Sequence, residues 1–277
     1  MQASLCDQLD RLFSAPDHAV ELGRAALILA RLEYPSLDLS AQIERIERFA
    51  AEAGHRLPED YDPLVSIGRL NDYLFGQLGF RGNEQDYYDP RNSFLNDVIE
   101  RRIGIPITLS VVYLEITRRL GLPFYGVGLP GHFVLKYDDN RRVIFIDPFH
   151  GGRILEVEDC RDLARSIDGG RTEVSAEHLR AVSNRQIVIR MLNNLRSIYL
   201  RTRQYRKCMA ALDAFLILAP GSPETHKQRA FLHHELGRPS QAVEQLEQYL
   251  ALSPEASDVA EIQKWILAIR RRQVSLN

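Results

Sequence analysis

The stretch Arg101-Arg102-Ile103-Gly104-Ile105-Pro106-Ile107-Thr108-Leu109-Ser110 opens an apolar run that continues through Leu120 and stops at Gly121-Leu122-Pro123. Its punctuation predicts a buried helix over 106–120. Proline suits the first helical position, where its missing N–H costs nothing. Glycine suits the left-handed position after a helix, and a following proline prevents continuation. Gly104 permits a tight turn just before the helix begins.

Downstream, Pro130-Gly131-His132-Phe133-Val134-Leu135-Lys136-Tyr137 and Arg141-Arg142-Val143-Ile144-Phe145-Ile146-Asp147-Pro148 flank a polar Asp138-Asp139-Asn140 turn. Both flanks are rich in strand formers, which predicts a hairpin. A turn centred on Asp139-Asn140 places His132 directly opposite Asp147, with Cβ atoms roughly 5 Å apart. A histidine held by an aspartate is the base-and-orienter half of a catalytic triad. The same pair can equally be a structural contact at a sheet edge.

These residues carry a family resemblance. Gly104-Ile105-Pro106, the helix ending Arg119-Leu120-Gly121-Leu122-Pro123, Gly-His-Phe on one strand and Ile-Asp-Pro on the next together resemble the transglutaminase-like fold. The wording of Tyr88-Asp89-Pro90-Arg91-Asn92-Ser93-Phe94-Leu95-Asn96 and of Phe149-His150-Gly151-Gly152 more closely resembles the bacterial SirB-type family. The resemblance implies an α+β protein: a transglutaminase-like (papain-like) core over 91–179, a helical N-terminal region over 1–90 packed on it, and tetratricopeptide-type repeats with a capping helix over 181–277. It also implies a cysteine at the start of the core helix, and that position holds Pro106. A helix N-terminus would stabilise a thiolate, but proline has no nucleophile, and Cys6, Cys160 and Cys208 are all distant in sequence.

Ser110 and Thr108 are the other candidate nucleophiles. Ser110 lies one helical turn past Pro106, on roughly the same face. Both also fit as small residues packed inside a buried helix. The enzyme reading requires Ser110 Oγ within about 3.2 Å of a His132 ring nitrogen. His150 reads as a rim residue on a turn. His132, Asp147 and His150 could in principle share an ion, but no CxxC or HExxH spacing is present and no metal or cofactor is expected.

The N-terminal helices are predicted from periodicity: one from Asp17 to Pro35, one capped by Ser40, and one over 63–77. The polar loop 80–90 reads as a surface connection beside the candidate site, or as one wall of a cleft. The arginine-rich stretch 180–190 reads as a solvated helical face. Beyond it, Pro220 and Pro254 lie 34 residues apart, the tetratricopeptide period. The same offset pairs Cys208 with Ala242, Leu212 with Leu246 and Phe215 with Tyr249, but aligns Arg196 with Ala230. A helix over 257–272 would cap the open end.

A hydrophobic content of 45%, a charged content of 26% and a net charge of −2 are those of an ordinary soluble globular protein. They argue against a nucleic-acid or membrane-surface role. Three scattered cysteines fit a reducing cytoplasm. The expected function is that of a nucleophile-lacking scaffold, regulatory or accessory, with a protein or peptide partner. The alternative is a hydrolase or acyl transferase built on Ser110 or Thr108 with His132 and Asp147.

Overall fold

The computed structural model describes residues 4–60, 62–171 and 173–275. Among them the helices are α1 (Leu5–Phe13), α2 (Leu22–Ala30), α3 (Leu39–Gly54), α4 (Pro63–Asn71), α5 (Leu95–Arg101), α6 (Pro106–Arg119), α7 (Val157–Asp168), α8 (Asn184–Arg201), α9 (Tyr205–Leu218), α10 (Pro223–Glu235), α11 (Pro239–Leu252) and α12 (Val259–Ser275). The strands are β1 (Arg81–Gly82), β2 (Ile103–Gly104), β3 (Phe124–Val127), β4 (Val134–Asp138), β5 (Val143–Asp147), β6 (Arg153–Leu155) and β7 (Ala181–Val182). The architecture is α+β, as expected. The chain divides into two compact units. One is Arg11–Met191; the other begins at Leu192 and takes in the N-terminal residues up to Asp10. The N-terminal helices α2–α4 therefore lie in the same unit as the sheet, and the last residue of that unit is Met191.

In the first unit α6 is the organising element. Every residue from Pro106 to Thr117 is buried. At ~1.5–3 kcal/mol for each fully buried Leu, Ile or Val, this one helix anchors the unit. It packs with α2, α3 and α5 and also with β3 and β4. Its ends lie where the punctuation put them: Pro106 is the first helical residue, Leu120 closes it, and Gly121 is left-handed at φ +68.

The sheet is antiparallel throughout, in the order β6-β5-β4-β3-β7. The β4–β5 register differs from the sequence expectation. Leu135 pairs with Ile146 and Asp138 with Val143, so the turn is centred on Asn140-Arg141, two residues away in pairing. Asn140 takes the left-handed conformation (φ +66). Asp139 Oδ1 accepts the N–H groups of Arg141 and Arg142, and Asp138 Oδ1 that of Asn140, so two aspartates lock the turn. A shift of two keeps every side chain on its face.

Two smaller expectations change as well. The cap of α3 is Asp38, which accepts from Ser40 N and Ala41 N, rather than Ser40. The helix predicted from Asp17 is a 3-10 turn (Asp17–Ala19) followed by α2.

In the second unit, α9 and α11 have both ends displaced by 34 residues, as the repeat period requires. Ala230, Ala242, Leu246, Tyr249, Ile262 and Ile266 form its core. Gly237 (φ +68) turns the chain between α10 and α11. Arg196, standing where Ala230 stands in the second copy, places its guanidinium 5.9 Å from the Phe215 ring.

Candidate functional site

His132 and Asp147 are brought together, though not as a cross-strand pair. His132 precedes β4 in a tight turn where Gly131 is left-handed (φ +70) and His132 N–H donates to Leu129 O. Asp147 is the last residue of β5. His132 Nε2 lies 3.1 Å from both carboxylate oxygens, and the two residues are 3% and 1% exposed. His150, on the 3-10 turn Pro148–His150, places Nδ1 2.7 Å from Asp147 Oδ2. The N–H groups of Phe149 (3.0 Å) and His150 (3.4 Å) donate to Oδ1. The two imidazoles lie nearly parallel, with centroids 5.9 Å apart, and Phe149 packs its ring edge-on to both.

Burial pushes the Asp147 carboxyl upward, but hydrogen bonds and charge from His132 and then His150 outweigh it, so the group sits below the ordinary carboxylate range. Asp147 is thus a fixed anion with both oxygens engaged.

One positioning residue was not foreseen. Arg190 on α8 was expected in a solvated face. Instead its Nη2 donates to Leu129 O (2.9 Å) and His132 O (2.6 Å), and its guanidinium stands over the Phe133 ring. It clamps both ends of the turn that presents His132. The sequence carries no local sign of this, because the contact spans 58 residues.

Part of the loop 80–90, residues 81–85, lines a cleft. β1 pairs in parallel with β2, and Arg81, Gly82, Asn83, Glu84 and Gln85 line a cleft of about 470 Å³ together with Ile103, Phe149, His150 and Gly151. A Cβ at Gly82 would lie 2.6 Å from Phe149 O, so only glycine lets the wall approach so closely. Asn92, fully buried, ties this loop to α6: its amide donates to Asp86 O and Tyr87 O, and its carbonyl accepts from Thr108 Oγ1 (2.7 Å).

Residues 41–193 match the transglutaminase-like superfamily, and residues 195–266 match the tetratricopeptide repeat. The chain belongs to the transglutaminase-like superfamily. A UPF0162 protein of Xylella fastidiosa (strain Temecula1) is 34% identical to it over 268 residues, covering 96% of this chain and 95% of its own. A UPF0162 protein of Vibrio cholerae is 28% identical over 219 residues, covering 79% and 81%. F-box only protein 21 of Homo sapiens is 32% identical over 182 residues, which is 62% of this chain but 28% of that protein.

On the nucleophile side of this transglutaminase-like chain, the candidates are occupied or enclosed. Pro106 fills the first position of α6 and is itself buried. Thr108 Oγ1 accepts the Ile105 N–H and donates to Asn92 O and Ile105 O, so its hydroxyl is spent on capping the helix. Ser110 is fully buried, and its Oγ has no hydrogen-bond partner among the described residues. It is therefore not within bonding reach of His132, which is the condition the serine mechanism required. All three cysteines are free thiols. Burial pushes Cys160 to about 12 and Cys208 to about 11, and raises Cys6 as well, so none is a poised thiolate.

Proposed function

We propose that this chain is a transglutaminase-like protein without an acyl-transfer nucleophile, acting as a regulatory or accessory scaffold that binds other proteins through its repeats and cleft. The observation that carries this reading is the start of α6. Where a reactive side chain would need exposure and a neighbouring base, there is a buried proline, a hydroxyl committed to capping, and a hydroxyl with no partner among the described residues. Helix-internal serine also lacks the strained, exposed turn that presents a hydroxyl for attack.

The repeats support the positive half of the reading. Tetratricopeptide units stack helix pairs into surfaces that hold peptides or proteins. In the second unit, Leu200, Phe231 and Trp265 line an apolar pocket of about 350 Å³, and Lys227 and Glu224 are also in its lining. Leu200 and Phe231 are both more than a third exposed. Large apolar side chains at a concave surface are a common mark of a docking site.

The test is selection of displayed random peptides on the immobilised full-length chain, repeated on Phe231→Glu and Leu200→Glu. Enriched peptides that bind wild type and lose at least tenfold in affinity on either substitution support the scaffold reading. Failure to enrich any peptide, or binding that both substitutions leave unchanged, removes the repeat pocket from it.

A further inference from the structure

We propose that His132, Asp147 and His150 form a three-ligand site for a divalent transition-metal ion of the zinc class. The inference goes beyond the scaffold reading and does not depend on it. Each residue offers one ligand atom, and these atoms all lie within 4.8 Å of one another. Asp147 Oδ2 is 3.1 Å from His132 Nε2 and 2.7 Å from His150 Nδ1. Metal–ligand bonds of roughly 2.0–2.2 Å place tetrahedral ligand atoms roughly 3–3.5 Å apart. To admit an ion, the Asp147–His150 edge opens by a few tenths of an ångström, while the edge between the two histidine nitrogens, within 4.8 Å, closes toward the tetrahedral spacing.

The chemistry of the donors fits. Two imidazoles and one carboxylate, with a further position left open, is the ligand set of catalytic zinc centres, and it does not suit the oxygen-preferring calcium or magnesium ions. The ligands are also held in advance. Asp147 Oδ1 is engaged by two backbone N–H groups, which fixes the carboxylate plane and leaves Oδ2 directed at the histidines. Arg190 clamps the His132 turn. Gly152 N–H closes the following turn on Asp147 O (2.8 Å).

Access and proton balance are satisfied too. His150 is exposed and lines the cleft, so an ion has a route in and a solvent molecule can complete the coordination. Binding requires a lone pair at His132 Nε2 and His150 Nδ1, so each ring must carry its proton on the other nitrogen. In the ion-free protein His132 Nε2 and His150 Nδ1 donate to the Asp147 carboxylate, so binding exchanges these hydrogen bonds for metal bonds as the protons move to His132 Nδ1 and His150 Nε2.

The experiment is calorimetric titration of chelator-treated full-length protein with Zn²⁺, for wild type, His150→Ala, Asp147→Asn and a control, His55→Ala, at an exposed histidine outside the cluster. Wild type and His55→Ala should each bind one Zn²⁺ per chain. His150→Ala and Asp147→Asn should bind at least ~100-fold more weakly. His150 is on the surface, so its variant keeps the fold, and circular dichroism verifies this. The proposal is overturned if wild type has no saturable site, if His150→Ala binds as tightly as wild type, or if His55→Ala loses the site equally.

Discussion

The start of α6 and the end of β5 handle buried polar atoms in opposite ways. At Asp147 both carboxylate oxygens are engaged, by two imidazoles and two backbone N–H groups. At Ser110, fully buried on α6, the hydroxyl has no partner among the described residues. A buried polar group left unpaired costs about 1–3 kcal/mol, whereas each hydrogen bond made contributes a net of about 0.5–1.5 kcal/mol. One region is thus built around its polar group, and the other merely tolerates one. That asymmetry is the physical basis of the scaffold reading proposed above.

Breaking the well-partnered end should have the largest effect. Asp147→Ala removes the shared acceptor of two histidines and leaves buried donors unpaired. It should cost about 3–5 kcal/mol in chemical denaturation. A loss below about 1 kcal/mol would mean that the cluster does not hold this end of the sheet. Thr108→Val should come next. It deletes the bond to Asn92 O and the cap on Ile105 N–H, at about 1–2 kcal/mol in the same measurement. Ser110→Ala should go the other way, from no change to a gain of about 1 kcal/mol, because it removes an unpaired buried hydroxyl. Destabilisation by Ser110→Ala would show that the hydroxyl has a partner after all and would close the gap between the two regions.

The smallest effect concerns acid. Asp89 is held below the ordinary carboxylate range, first by its hydrogen bond to the Arg91 side chain, with burial opposing and with the Arg91 N–H and the charge of Arg101 assisting. Its contribution is therefore present above the unfolded value of about 3.9 and is lost as pH falls through the lower folded value. Denaturation of wild type and Asp89→Asn at descending pH should show the wild-type advantage shrinking toward zero in strong acid. An advantage that grows as pH falls would reverse the sign of this argument.

Local chemistry made α6 and the repeats legible before any coordinates. Pro106 and Gly121 act through backbone geometry alone, so they mark the helix ends wherever it packs. The 34-residue offset likewise needs only the chain itself. The hairpin register differs because, although Asp139-Asn140 has the better turn residues, Asp138 and Asp139 spend their side chains on the following N–H groups and push the turn one residue on, to Asn140-Arg141. The His132–Asp147 contact forms in either register, because a shift of two preserves the face and because His132 reaches the carboxylate from the turn before β4. Arg190 and Asn92 were invisible for a different reason. Arg190 acts on carbonyls 58 and 61 residues away, and Asn92 joins a loop five and six residues before it to Thr108, 16 residues after it, contacts that follow no helix or strand period. His150 stood in plain view, but its role depended on the turn of Pro148–His150 folding its Nδ1 back onto Asp147.

The central claim is that this site holds no covalent nucleophile. Intact-mass measurement of the full-length chain after incubation with a reactive thioester and with a fluorophosphonate tests it directly. The account predicts no adduct within residues 101–152 in wild type. A stoichiometric acyl or phosphonyl adduct there that disappears in Ser110→Ala or His132→Ala would contradict it.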